Sequence, residues 1–285
     1  MNPAQRKKEF KVGNVTFGGG GLAIIAGPCV IESAEHATMM AIKCFRRARA
    51  ASLDFVFKSS FDKANRSSIE SFRGLGMTAG LAVLRSIKQD VGVPILTDVH
   101  DISQIKEVAE VADILQIPAF LCRQTDLIQE AARSGRALNI KKGQFLAPQD
   151  ALNIVEKAEA AGCDRIMLTE RGVSFGYNNL VVDMRSFPIM RDFGVPIVFD
   201  ATHSLQLPGG LGHASGGLSQ YIEPMARAGV ACGIDAVFME VHDAPERAPS
   251  DGTNMLPLER MGPLLEALRD IHALVARDSN SKSPQ

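Results

Sequence analysis

Residues 93–100 read VPILTDVH, and residues 112–118 read ADILQIP. Each is a short apolar run without alternation, and each ends in side chains suited to chemistry. Unbroken Val/Ile/Leu runs of this kind describe strands buried on both faces, the pattern of a parallel sheet covered by helices. Six more runs extend the pattern: Leu22–Gly27 (LAIIAG), Leu53–Ser60 (LDFVFKSS), Ala137–Gly143 (ALNIKKG), Arg165–Arg171 (RIMLTER), Val195–His203 (VPIVFDATH) and Ala236–His242 (AVFMEVH). Amphipathic segments lie between them. Met77, Leu81, Leu84 and Ile87 share one helical face. Asp126 is predicted to cap DLIQEAARSG, with Gly135 at its C′ position, and Asp150 to cap ALNIVEKAEAAG, which ends at Gly162. Strands and helices alternating over this length predict an α/β fold, a single (β/α)8 barrel of the TIM type over residues 22–275. A doubly wound sheet fits less well, because no GxGxxG turn follows the first strand. Gly18–Gly21 precedes that strand and reads as the exit from a short N-terminal β-hairpin, Phe10–Phe17. Residues 1–21 are therefore an extension carrying the hairpin, and the polar run 276–285 (ARDSNSKSPQ) is expected to be a disordered tail.

The chain has 285 residues with 31 Lys+Arg against 32 Asp+Glu, a formal net charge of −1. That balance argues against a protein built to grip nucleic acid or an anionic membrane. A hydrophobic share of 46% and a charged share of 22% fall in the ordinary globular range. No stretch approaches the ~20 apolar residues of a membrane span. The opening MNPAQRKKEF has no apolar segment behind its charges, so no secretory signal is expected. The five cysteines (Cys29, Cys44, Cys122, Cys163, Cys232) are scattered and odd in number. They predict no disulfide framework and a reducing, cytoplasmic setting. Two connections are long, Phe61–Gly76 and Ser204–Tyr221; the second is rich in glycine and is expected to serve as a mobile lid or interface arm.

Barrel chemistry sits where strands end, on the C-terminal rim. Here the runs end in Cys29, Lys58 and Ser60, Asp98 and His100, Gln116, Lys141 and Lys142, Glu170 and Arg171, Asp200 and His203, and Glu240 and His242. One subset is cationic: Lys58, Lys63, Arg66, Arg123, Lys141 and Arg171. Such groups converging on one mouth repel one another unless anions neutralise them, which points to a polyanionic substrate: two phosphorylated molecules, or one with phosphate and carboxylate. The bland alternative is snorkelling to solvent, strongest for Lys142. A second subset is Cys29, His203, Glu240 and Asp251, a mixed donor set suited to Zn²⁺, Fe²⁺ or Mn²⁺. It carries no CxxC or HExxH signature, and Cys29 alone also reads as a small buried hydrophobe. The other four cysteines keep that reading. His36, His213 and His272 have no evident partners.

Several segments go further. Phe57–Ser68 (FKSSFDKANRSS), Thr97–His100 (TDVH), Gln116–Asp126 (QIPAFLCRQTD), Asn139–Phe145 (NIKKGQF), Arg171–Asp183 (RGVSFGYNNLVVD), Phe199–Ser204 (FDATHS) and Ala214–Gly217 (ASGG) closely resemble the 3-deoxy-D-manno-octulosonate 8-phosphate synthase family, also called 2-dehydro-3-deoxyphosphooctonate aldolase. The match runs from the first strand through Leu258. The resemblance implies a transferase that condenses phosphoenolpyruvate with D-arabinose 5-phosphate and water, supplying lipopolysaccharide biosynthesis. AGPCVIES, with Cys29, and SDGTNMLPL, with Ser250 before Asp251, look like the metal-dependent branch of that family. One divalent ion per subunit (Zn, Fe(II), Mn or Co) is then held by Cys29, His203, Glu240 and Asp251.

The same resemblance assigns Lys58, Ser60 and Lys63 to the carboxylate end of phosphoenolpyruvate. Its phosphate falls to Lys141, Arg171 and the backbone near Ala119, with Arg123 and Gln116 beside it. Asn65, Arg66 and Ser67 match the pocket for the sugar phosphate, and Asp98 holds sugar hydroxyls. Lys63 is the expected proton donor, and a homotetramer is implied. The alternatives are the aromatic-pathway synthase using erythrose 4-phosphate, against which KANRSS speaks, a Schiff-base aldolase using Lys141, and a non-catalytic sugar-phosphate binder.

Overall fold

All eight apolar runs form parallel strands: Ala23–Gly27, Asp54–Lys58, Ile95–Asp98, Ile114–Ile117, Ala137–Lys141, Ile166–Glu170, Ile197–Asp200 and Ala236–His242. Each pairs with the next, and the eighth pairs with both the seventh and the first, so the sheet closes on itself. The computed structural model describes residues 9–66, 68–209 and 216–281. Helices follow the strands around the outside: α1 (Ala34–Ala50), α2 (Met77–Val91), α3 (Ile105–Val111), α4 (Thr125–Arg133), α5 (Leu152–Ala160), α6 (Ser186–Arg191), α7 (Ile222–Ala231) and α8 (Leu258–Ser281). This is the expected (β/α)8 barrel.

Side chains alternate between the two faces of a strand. The outward set, such as Ile24, Leu115 and Phe199, packs under the helices, with Leu81, Leu84 and Ile87 of α2 buried against it. The inward set changes character along the axis. Towards the strand N-termini it is apolar, with Ile25, Val56, Leu96, Ile114, Met167, Val198 and Phe238 in one cluster. The hairpin joins that cluster and plugs the bottom of the barrel. Phe10–Val12 pairs antiparallel with Val15–Phe17, the turn uses Gly13 at φ 58°, where other residues are strained, and Phe10 stacks on Phe17 at 5.5 Å. Towards the C-termini the inward set turns polar: Lys58, Asp98, Gln116, Asn139, Lys141, Asp200 and Glu240 are all buried. A closed apolar base beneath a buried polar layer is what gives the site its low dielectric and fixed geometry.

Three local expectations need correction. Asp126 is not a cap; it lies inside the first turn of α4, where its charge meets the positive end of the helix dipole. Asp150 lies within a 3₁₀ turn, Pro148–Ala151, that leads into α5. Gly135 and Gly162 do follow their helices with φ 72° and 91°, as αL C′ residues. Thirdly, α8 continues to Ser281, past the expected start of a disordered tail at Ala276, because extending a formed helix costs little even for a polar sequence; residues 282–285 lie outside the described residues. The long segment Ser204–Tyr221 is tied at its base, Gln206–Leu207 pairing with Gly216–Gly217. The glycine-rich centre expected to act as a lid, and His213 with it, lies outside the described residues.

Candidate active site

The polar layer opens into a cavity of about 910 Å³ at the C-terminal mouth. Two buried carboxylates organise one side. Asp200 accepts from Lys141 Nζ at 2.6 Å and lies 2.7 Å from His203 Nδ1. The backbone N–H of His203 and the Thr202 hydroxyl donate to its other oxygen at 2.8 and 3.0 Å. His203 is thereby fixed with Nδ1 towards Asp200 and Nε2 towards Glu240 Oε1, 3.6 Å away. Burial would raise the Asp200 carboxyl, but the charges of His203 and Lys141 hold it well below the usual carboxylate range. Burial pushes the Lys141 amine down, only partly offset by Asp200, and its Nζ sits 4.2 Å from the Phe238 ring centre.

Opposite, Lys58 Nζ donates to the Cys29 carbonyl at 3.3 Å, to Ser60 Oγ at 3.1 Å and to Glu240 Oε1 at 3.3 Å. Ser60 Oγ donates to Asp98 at 2.5 Å, and His100 Nε2 faces the other Asp98 oxygen at 2.8 Å. Burial opposes ionisation of Asp98, but His100, Lys58 and Lys63 keep its carboxyl well below its ordinary value. Lys63 Nζ stands 3.6 Å from Glu240. Burial would lower that amine, yet the surrounding Cys29, Glu240, Asp98 and Asp251 raise it, so Lys63 holds its proton at neutral pH.

Between these sides lies the thiol cluster. One ligand atom each from Cys29, Glu240 and Asp251 lie within 4.8 Å of one another, with Cys29 Sγ 3.1 Å from Asp251 Oδ2. Asp251 reaches it from a left-handed conformation, φ 51°, a strain that sites keep when it aims a side chain. Burial first, then Asp251 and Glu240, push the Cys29 thiol up to about 12. A thiol and two carboxylates this close draw positive charge, and Lys58 and Lys63 already stand 3.3 and 3.6 Å from Glu240. Arg66 adds to that charge, reaching Asp251 Oδ1 at 3.3 Å and hydrogen-bonding Ser250 Oγ. The donor types and their crowding fit a borderline divalent ion; His203, the fourth expected ligand, stands with Nε2 3.6 Å from Glu240 Oε1 but outside that three-residue cluster.

Not every cation is satisfied. Arg171 donates Nη2 to Gln206 at 2.7 Å, while its buried Nη1 and the Nε of Arg66 have no partner. Burial pushes the Arg171 guanidinium down despite Asp200 and Glu170. Buried donors left open in a cavity are groups awaiting an anion.

Residues 3–277 match the sequence profile of the DAHP synthetase I family. The chain belongs to that family. Among its curated relatives, a protein of Geotalea uraniireducens is 57% identical over 273 residues, covering 94% of this chain and 99% of the relative. One of Trichlorobacter lovleyi is 54% identical over 269 residues, with 94% and 99% covered. One of Syntrophotalea carbinolica is 53% identical over 273 residues, with 95% and 99% covered. All three are named 2-dehydro-3-deoxyphosphooctonate aldolase, a name that agrees with the motif resemblance.

Within this family member, Lys58, Lys63, Asn65, Arg66, Asp98, Gln116, Ala119, Lys141, Arg171, His203 and Asp251 all line the cavity. Ser60, Cys29 and Glu240 lie just beneath, bonded to its lining. Ser67 lies outside the described residues. Arg123 does not join them: it is exposed and absent from the cavity lining, and its carbonyl accepts from Lys157 Nζ at 2.9 Å. It follows the fourth strand by several residues, beyond the 3₁₀ turn Ala119–Leu121, which itself lines the cavity. Lys142 is a buried structural residue, paired with Glu170 at 3.5 Å and with the Leu146 carbonyl at 3.2 Å. His100, expected at the rim as a strand-end residue but given no role, lines the cavity, and its Nδ1 is buried and unpaired. Gln144, Gln206 and Ser250 also line the cavity and were not expected there, because neutral side chains carry no charge signal. His36, expected to stand alone, meets Asp243 at 3.0 Å.

Proposed function

We propose that the chain condenses phosphoenolpyruvate with D-arabinose 5-phosphate and water, giving 3-deoxy-D-manno-octulosonate 8-phosphate and inorganic phosphate for lipopolysaccharide biosynthesis. One observation carries the reading most directly. Unsatisfied buried guanidinium nitrogens share a cavity with the thiol–carboxylate cluster, so anion binding and a cation site converge on one space. Relatives bearing the corresponding name cover nearly the whole chain.

The chemistry follows from charge. The enol carbon of phosphoenolpyruvate attacks the sugar aldehyde, leaving oxocarbenium character at C2. Water adds there, and phosphate departs with its bridging oxygen by C–O cleavage. Lys141 and Arg171 hold the phosphate of phosphoenolpyruvate, Lys58 and Ser60 its carboxylate, and Asn65 and Arg66 the sugar phosphate. Asp98 accepts from sugar hydroxyls. Lys63, protonated and beside the cluster, donates to the alkoxide formed from the aldehyde. Cys29, His203, Glu240 and Asp251 would hold a divalent ion (Zn, Fe(II), Mn or Co), which supplies Lewis acidity when bound. Asp200 orients His203 for that role.

Phosphate release measured on the purified protein, before and after chelation and with metal add-back, tests the reading. Activity lost to chelation and restored by a divalent ion is expected; full activity in a metal-free protein would refute the metal assignment while leaving the condensation intact. The same reading carries a cytoplasmic homotetramer, for which sedimentation velocity should return four copies. Among the described residues no helix is long and apolar enough to cross a membrane.

A further inference from the structure

A second cluster of ligating side chains stands apart from the cavity. Glu32 and His36, at the start of α1, meet His242 and Asp243, at the end of the eighth strand. One ring nitrogen from each histidine and one Glu32 oxygen lie within 4.8 Å of one another. His242 Nε2 faces Glu32 Oε1 at 2.9 Å, His36 Nε2 faces Asp243 Oδ1 at 3.0 Å, and the two rings lie 4.6 Å apart. None of the four lines the substrate cavity.

Two features say that this is more than a hydrogen-bonded corner. No lysine or arginine among the described residues pairs with Glu32 or Asp243; their ionic partners are the two histidines alone. The two carboxylates thus lie close together with only histidine rings facing them. In addition, His36 Nδ1 is buried without a partner, although buried polar atoms are rarely left open. A divalent cation would give the carboxylates a direct counter-charge and the open nitrogen a partner.

We propose that Glu32, His36 and His242, supported by Asp243, form a second metal site, selective for a borderline ion of the Zn²⁺ class. Imidazole and carboxylate donors in this number suit such an ion. In the metal-free protein the Ala244 N–H donates to His242 Nδ1 at 2.9 Å, which puts the ring proton on Nε2, facing Glu32. On loading, the ion replaces that proton at Nε2 and the proton is carried on Nδ1 instead. There Asp243 Oδ1, 3.2 Å away, accepts it, an arrangement that supports metal-bound histidines widely. The cost is the Ala244 hydrogen bond. The site ties α1 to the eighth strand, whose Glu240 serves the cavity.

The test is zinc stoichiometry after chelation, equilibrium dialysis against Zn²⁺ and elemental analysis, on the full chain and on His36→Ala. Glu32→Gln serves as a shape-preserving second variant. Both should lose one equivalent of zinc per chain and keep their phosphate-release activity. Cobalt loading separates the two sites, because only the Cys29 site gives a thiolate charge-transfer band, which both variants should retain. Wild-type stoichiometry in both variants would overturn the proposal. A missing thiolate band in every form would overturn the Cys29 site instead, and the second site would still show as one equivalent lost on substitution.

Discussion

Zn²⁺ loading of the Cys29 site should release about one proton per chain, and that proton should come from Cys29. In the metal-free protein its thiol is pushed up to about 12, by burial first and then by Asp251 and Glu240. Around pH 8.5 it is therefore almost wholly protonated, whereas a metal-bound cysteine is a thiolate. Asp251 and Glu240 contribute no proton: burial opposes their ionisation, but neighbouring groups, Arg66 and Lys63 for Asp251 and His203, Lys63 and Lys58 for Glu240, hold both carboxyls low. Apparent affinity should rise about tenfold per pH unit between about pH 8 and pH 9.5. The shift from 9.0 to about 12 corresponds to about 4 kcal/mol of binding energy spent on ionising the thiol, at ~1.36 kcal/mol per unit. Calorimetry in two buffers of different ionisation enthalpy counts the proton directly, and the His36→Ala background keeps the second cluster out of the titration. An affinity flat across that range, or a proton count near zero, would refute the reasoning.

Other consequences follow from the same geometry. Arg171→Ala removes a buried donor left open for an anion; with charge-assisted bonds worth ~1.5–3 kcal/mol, KM for phosphoenolpyruvate should rise about 10- to 100-fold in initial-rate assays. Asp200→Asn removes the acceptor that holds His203 and the counter-charge of Lys141, so metal affinity should fall about 10- to 100-fold by chelator competition. Gly27→Ala drives a Cβ into the Lys58 carbonyl, where the first two barrel strands meet, and should cost about 1–3 kcal/mol in urea unfolding. Asp98 and Asp200 have folded pKa values depressed below their unfolded ones. Their stabilisation is fully present above the unfolded carboxylate range of ~4 and is lost as pH falls through and below it, so the urea midpoint should drop between about pH 5 and pH 3.

The barrel was legible because a strand buried on both faces cannot hide its apolar run. Val93–His100 shrinks to the paired strand Ile95–Asp98, since apolar residues flanking a strand pack without joining the ladder. The polar rim was legible too, because charged residues ending an apolar run have nowhere but the mouth to go. Arg123 shows the limit: its charge and motif position suggested the site, but it is exposed and does not line the cavity. Asp126 and Asp150 mark another, since a capping residue is recognised only once the helix start is known, and both helices begin elsewhere. The cluster of His36 with Asp243 was invisible, because its halves lie at opposite ends of the chain and meet only when the eighth strand closes against the first. His100 was legible as a strand-end group facing the mouth, but its open Nδ1 is a property of packing rather than of sequence.

The central claim, that this barrel mouth joins phosphoenolpyruvate to a five-carbon sugar phosphate, is tested most directly by comparing initial rates of phosphate release from phosphoenolpyruvate with D-arabinose 5-phosphate and with erythrose 4-phosphate, using metal-loaded protein. Rapid release with arabinose 5-phosphate and little with erythrose 4-phosphate is expected. Equal or faster release with the four-carbon sugar, or no release with either, would contradict it.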